Sequence, residues 1–261
     1  MFVDSHCHLD RMKQVQEHGL DAVLAQAEQA GVEHMLCVGV TLDEFYPMAE
    51  LVENRSNVSM SCGLHPLYVA QNRIDYDELR RICSRDDVVA VGETGLDFFY
   101  DQEHHQRQRE SFAYHIEMAN ELGKPLIIHT RDAREATIEM LRAGNAERCG
   151  GVMHCFTENQ WMAEQALELG FYISISGIVT FRNAESLREV VRYVPLEHLL
   201  IETDSPWLAP VPHRGKENQP AYVSEVAKCV ASLKGVSVER VAEVTRNNFY
   251  NLFAQAQNKT Q

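Results

Sequence analysis

A (β/α)8 TIM barrel is the fold this sequence predicts, on three observations. Short apolar runs alternate with amphipathic segments along the chain, the pattern of parallel strands joined by crossover helices. Glycines 31, 123 and 170 each close a helical segment just before an apolar run, as left-handed helix caps do. The 261 residues match one complete barrel of this type. Two smaller domains also fit that length. No Ser/Gly-rich linker or low-complexity stretch divides the chain, so one domain over residues 1–261 is expected.

Eight strands are expected, at residues 2–5, 34–40, 59–64, 88–92, 126–129, 151–154, 172–176 and 199–203. Each is a short run rich in apolar residues. The clearest helical periodicity is Phe112, Ile116, Ala119 and Leu122, at steps of four and three; Gly123 stops it before Lys124-Pro125 and the fifth strand. Behind the eighth strand a polar, proline-marked loop covers residues 205–220. Two helical segments follow, at 221–234 and 238–253, expected to complete the outer ring.

At 45% hydrophobic and 24% charged, the chain has ample material for a large core and no signature of disorder. Its first residues, Met-Phe-Val-Asp-Ser-His, lack a secretory signal, and no run approaches a membrane span, so a cytoplasmic protein with no membrane partner is expected. Seven scattered cysteines, an odd count with no C-x-x-C pair, argue against a disulfide framework. The net charge of −14 opposes broad coating of a polyanion, because such binders present a basic face. It leaves room for one nucleic-acid end, or a small phosphoester or ester, in a pocket whose polarity bound cations reverse. No obligate protein partner is evident in the sequence.

The metal-competent side chains fall at strand ends. The first strand runs into His6-Cys7-His8, the fourth into Glu93, the fifth into His129, the sixth into His154 and the eighth into Glu202-Thr203-Asp204. In a (β/α)8 barrel those ends converge on one mouth, so ligands distant in sequence share a pocket. His6 and His8, two apart in an extended chain, point to one side. A carboxylate such as Glu93 is the natural bridge between two hard cations. Each residue alone has a structural reading, as a strand-end histidine or a loop carboxylate; six together favour a centre of two divalent cations. Asp204, followed by the strand-stopping Ser205-Pro206, is the candidate to touch one metal and to orient or deprotonate water, with a metal-bound hydroxide as nucleophile. Glu202 is expected either to ligate an additional ion or to hold a histidine from behind.

These residues lie in Asp4-Ser5-His6-Cys7-His8, Gly63-Leu64-His65-Pro66, Gly92-Glu93-Thr94-Gly95-Leu96-Asp97, His129-Thr130-Arg131-Asp132-Ala133, His154-Cys155-Phe156-Thr157 and Glu202-Thr203-Asp204-Ser205-Pro206. Together with residues 212–220, this set resembles the TatD family of metal-dependent hydrolases over nearly the full length, nearest its bacterial YcfH-type branch. The resemblance implies an amidohydrolase-superfamily barrel with two metals. One would be held by His6, His8, Glu93 and Asp204, the other by Glu93, His129 and His154. It implies a 3′-to-5′ deoxyribonuclease acting on single-stranded DNA, in a family with some members acting on RNA or aminoacyl-tRNA. One position departs from many relatives, Glu158 in place of glycine, and a carboxylate there would oppose a phosphate.

Around the expected mouth, His65 is placed either to bond substrate or to cap the third strand. Arg131, Arg214 and Lys216 are the basic groups best placed to meet a phosphate or carboxylate, or are solvated loop charges. Phe98, Phe99, Tyr100 and Trp207 lie in loops after the fourth and eighth strands, placed to stack on a base or to pack on the rim. The ligand set does not separate a phosphodiesterase from a hydrolase of a small amide or ester or of mischarged aminoacyl-tRNA. Nor does it choose among magnesium, manganese and zinc. A non-enzymatic binding protein on the same scaffold, with structural histidines, is the third reading.

Overall fold

The computed structural model describes residues 1–71 and 75–259. Eight parallel strands follow one another in chain order: β1 (Phe2–Cys7), β2 (Val32–Gly39), β3 (Val58–Cys62), β4 (Val88–Asp97), β5 (Leu126–Arg131), β6 (Gly151–Met153), β7 (Tyr172–Ile175) and β8 (Leu199–Ile201). The ring closes where Cys7 of β1 bridges Ser205 beyond β8; the Asp204 N–H donates to His6 O at 2.9 Å and the His8 N–H to Ser205 O at 2.8 Å. The expected (β/α)8 barrel is thus the observed architecture. Its helices are α1 (Lys13–His18), α2 (Leu20–Gln29), α3 (Leu42–Val52), α4 (Tyr76–Cys83), α5 (His105–Leu122), α6 (Arg134–Ala143), α7 (Gln160–Glu168), α8 (Glu185–Tyr193), α9 (Val223–Lys234) and α10 (Val238–Leu252).

Gly31, Gly123 and Gly170 all adopt positive φ where helices give way to strands. The strand ends differ from the sequence expectation in a systematic way. β1, β4 and β5 run further into polar sequence, because β4 and β5 stay paired through Gly95–His129 and Asp97–Arg131 although the apolar pattern has ended. β6 and β8 stop earlier, so His154 and Glu202 lie just past their strands.

Alternate strand residues serve two cores. Leu126, Ile128, Met153, Leu199 and Ile201 face the helices, while Ile127, Val152 and Leu200 line the barrel interior with Val3, Leu36, Val38 and Val89. Two residues beyond Ile127, Val152 and Leu200 on the same faces come His129, His154 and Glu202. The interior is therefore apolar at the strand starts and polar at the strand ends.

That apolar floor has to be covered, and this corrects the expectation for the last helices. α9 packs in the outer ring against β1 and β8. The end of α10 instead supplies Phe249 and Tyr250, and the residue just past it is Phe253; all three join the interior cluster and close the barrel from below. Each buried Phe contributes on the order of 1.5–3 kcal/mol of burial energy.

Candidate metal centre

Local sequence explains how each functional group reaches the mouth. β1 delivers His6 and His8, whose Nε2 atoms lie 3.2 Å apart. The Nδ1 of His8 donates to Val38 O at 2.9 Å, which turns its Nε2 to the cavity. Glu93 sits inside β4, between Gly92 and Gly95. Gly95 has φ +141, and a Cβ there would lie 1.9 Å from His129 O, so the glycine is what allows β4 to approach β5 this closely. Asp204 holds φ +55, an uncommon conformation for a side-chain-bearing residue and one concentrated at functional sites.

The Glu93 carboxylate lies between two groups of imidazoles. Its Oε1 is 2.9 Å from His154 Nε2, 3.2 Å from His129 Nδ1 and 3.3 Å from His65 Nε2. Its Oε2 is 3.5 Å from His6 Nε2. Beyond His6, the Asp204 carboxylate stands 3.5 Å from His8 Nε2 and 3.8 Å from His6 Nε2. Ligand-type atoms of His6, His8 and Glu93 lie within 4.8 Å of one another, as do those of His65, Glu93 and His129, and of His6, His154 and Glu202.

Two imidazoles are held from behind by carboxylates. His129 Nε2 meets Asp97 Oδ2 at 3.0 Å, and His154 Nδ1 meets Glu202 Oε1 at 3.1 Å. Such partners fix the ring orientation and the tautomer of a ligating histidine. The same Glu202 oxygen accepts the Cys155 N–H at 2.8 Å, while its Oε2 is buried without a partner among the described residues. His65 is oriented differently: its Nδ1 accepts the Leu67 N–H, so the proton is on the Nε2 that faces Glu93.

Burial and mutual charge set the electrostatics. Burial raises a carboxyl, but His154, His65 and His129 outweigh it and hold Glu93 well below the ordinary range. Burial lowers an imidazole, yet Glu93 and Glu202 push His154 well above its usual value. For His6, burial together with His154 wins, and the ring is pushed down to about 3. Its Nδ1 has no partner among the described residues, and a neutral imidazole of this kind is free to give a lone pair to a cation. Oxygen and imidazole donors with their far atoms anchored suit a divalent ion.

A cavity of about 510 Å³ opens over these groups and includes His8, His65, Glu93, His129, His154 and Asp204 in its walls. Arg131 also lines it; Arg214 and Lys216 do not. The Arg214 guanidinium stacks 3.7 Å from the Phe181 ring centroid and donates to Ala209 O, and Lys216 is exposed on the loop. Glu158 is buried in an ion pair with Arg134 and is absent from the cavity wall, so its charge does not face the space a phosphate would enter.

Sequence reasoning missed Asp97, Arg11 and Asp4. Asp97 shares parity with Glu93 along β4, a signal that a longer fourth strand would have revealed. Arg11 reaches the cavity from the turn after β1, paired with Glu44 and donating to Tyr68 Oη at 3.2 Å. Asp4, fully buried and pushed up to about 8 by burial against the pull of Thr203, accepts the Thr203 N–H and Oγ1–H and ties β1 to the Asp204 segment.

Residues 3–254 match the family model described as TatD related DNase. The chain belongs to the TatD family of metal-dependent hydrolases. This TatD chain is 55% identical over 252 residues to a protein of Escherichia coli K12 named uncharacterized metal-dependent hydrolase YcfH, covering 96% of this chain and 95% of that one. It is 32% identical over 240 residues to the Pantoea ananatis protein named 3′-5′ ssDNA/RNA exonuclease TatD, covering 89% and 92%. Among solved structures, that of YJJV, a TatD homologue from Escherichia coli K12, superimposes with a TM-score of 0.91 at 30% identity, covering 97% and 98%. No helix among the described residues of this TatD chain is long and apolar enough to cross a membrane.

Proposed function

We propose that this TatD-family hydrolase is a phosphodiesterase that trims single-stranded DNA from the 3′ end with two divalent cations. The observation that carries this reading is the Glu93 carboxylate, one oxygen turned to His129 and His154 and the other to His6. His6, His8 and Asp204 would hold one cation with Glu93, and His129 and His154 the other with Glu93. When bound, the pair supplies Lewis acidity to a phosphoryl oxygen and makes water easier to deprotonate. Imidazole with carboxylate suits magnesium, manganese or zinc.

The chain's own groups do the rest. Asp204, the most exposed of the acidic groups here at 15% of its side chain, accepts the proton of the attacking water. Glu93 keeps the two halves of the site in register. Asp97 and Glu202 take the outward N–H of His129 and His154, so the cavity-side nitrogen is the one that would exchange its proton for a cation. The choice of single-stranded nucleic acid rests on the name of the Pantoea relative. A reducing, cytoplasmic location suits seven cysteines that are all free.

The test is release of nucleotide from 5′-labelled single-stranded DNA by protein loaded in turn with each of the three metals. A ladder shortening from the 3′ end is expected. Asp204→Asn should lose on the order of 10²–10⁴-fold in kcat measured at saturating metal, the range of a general base. Cleavage of simple esters or aminoacyl-tRNA with DNA left intact would replace this substrate by those, and full activity in Asp204→Asn would remove Asp204 from the chemistry.

A further inference from the structure

Three large aromatic side chains stand exposed at the rim: Phe99 at 48%, Tyr100 at 63% and Trp207 at 47%. They are not scattered. Phe99 and Tyr100 follow β4 and Trp207 follows β8, and in a ring ordered β1 to β8 those strands are half a turn apart. Tyr100 and Trp207 nevertheless line the same cavity, so they stand on opposite walls above the Glu93 cluster.

Each wall is fixed from behind. The Trp207 ring packs edge-on against His8, with centroids 5.2 Å apart. The Tyr100 backbone N–H donates to Asp97 Oδ1 at 2.8 Å, and the Phe99 ring meets Tyr100 edge-on at 4.8 Å. Arg131 lays its guanidinium 4.2 Å from the Phe99 centroid and 4.5 Å from that of Tyr100. That guanidinium makes no ion pair or hydrogen bond with any described residue, whereas Arg11, the other arginine in the cavity wall, is paired with Glu44. A free planar cation on one aromatic wall, facing a second aromatic wall, suits a ligand with a flat ring attached to an anion.

We infer that Trp207 and Tyr100 clamp the terminal nucleobase of the substrate between them, with Arg131 receiving a phosphate of the same strand. The inference rests on the nucleic-acid reading of the site and specifies how the site selects its end. Stacking accepts any base, because every base presents a flat face, so the clamp requires a base without reading which one.

The test compares two single-stranded oligonucleotides that differ only at the 3′ end, one closing on thymidine and the other on a base-free tetrahydrofuran residue. Wild-type protein should favour the thymidine end in kcat/KM. Trp207→Ala and Tyr100→Ala should each cut that preference about 5- to 150-fold, the span of about 1–3 kcal/mol per stacked base. Trp207→Phe and Tyr100→Phe should keep most of it. A preference unchanged in both alanine variants overturns the inference. Equal loss on both ends would assign Trp207 to holding His8 and overturn it as well.

A binding readout separates this outcome from failure of the nuclease reading. The chain has two tryptophans, so Trp161→Phe leaves Trp207 as the reporter. Thymidine 5′-monophosphate should quench its fluorescence saturably, 2-deoxyribose 5-phosphate should not, and Tyr100→Ala should weaken the quench. If neither oligonucleotide is cleaved, the nuclease reading falls, and the clamp stands or falls on this quench alone.

Discussion

Replacing Asp97 by asparagine isolates the role of a carboxylate that stands behind His129. Asp97 is fully buried; its Oδ1 accepts the N–H groups of Phe99 and Tyr100, and its Oδ2 meets His129 Nε2 at 3.0 Å. In Asp97→Asn the amide oxygen keeps the first two bonds, so the loop that carries Tyr100 stays in place. The amide turns its NH2 toward His129. To accept from that donor, Nε2 must give up its proton, and the proton moves to Nδ1, the atom 3.2 Å from Glu93 Oε1 and proposed as the ligand. Loss of an outer carboxylate on a ligating histidine typically costs 10- to 100-fold in metal affinity, about 1.4–2.7 kcal/mol. Titration of the metal-free variant with manganese, followed calorimetrically, should show one of two sites weakened by that factor. Activity should return as metal is raised. Wild-type affinity at both sites would refute the assignment of Asp97 as the group that sets the His129 tautomer.

Gly95→Ala should destabilise by more than about 3 kcal/mol in urea unfolding, or fail to fold, because its Cβ would meet backbone at 1.9 Å; a variant within about 1 kcal/mol of wild type would contradict the β4–β5 packing. His115 is held neutral by burial, down to about 4, while its Nδ1–H donates to Ser111 O and its Nε2 accepts the Leu64 N–H. A folded value below the unfolded 6.5 makes the unfolded chain bind the proton first, so its contribution is whole above pH 6.5 and is lost as pH falls toward 4, about 2 kcal/mol of it by pH 5. The stability gap between wild type and His115→Gln should shrink by that amount between about pH 7 and 5; a constant gap would rule this out. The cavity wall sets the carboxylates of Glu93, Asp97 and Asp204 against the guanidinium groups of Arg11 and Arg131, so chelation should abolish oligonucleotide binding. With metal restored, the slope of log affinity on log salt should stay near about −1 to −2, at about 0.7 per phosphate neutralised. A much steeper slope would reveal a basic surface elsewhere.

What was legible in the fold followed from periodicity and punctuation. Apolar runs marked all eight strands because each strand's interior half must be buried on both faces. Their ends were less legible, since β4 continues through Glu-Thr-Gly-Leu-Asp on hydrogen bonding to β5 alone. The role of α10 was hidden for a different reason. Its amphipathic pattern resembles that of a ring helix, and only the assembled barrel shows that an apolar floor needs Phe249 and Phe253 beneath it.

At the candidate site, the residue types were legible but their partners were not. Strand-end position and imidazole or carboxyl chemistry were enough to gather His6, His8, Glu93, His129, His154 and Asp204 at one mouth. Which nitrogen of each ring turns inward depends on what stands behind it, and those groups come from unrelated places: Val38 O for His8, Asp97 for His129, Glu202 for His154. An imidazole anchored to an acceptor through one nitrogen can give a lone pair at the other once that nitrogen is unprotonated, whereas His65, whose Nδ1 accepts from Leu67, offers a proton. Four histidines can share one carboxylate and still differ in which ring nitrogen they turn to it. For His65, His129 and His154 that difference follows from backbone and outer carboxylates, which is why it is read from coordinates and not from a list of metal-competent residues.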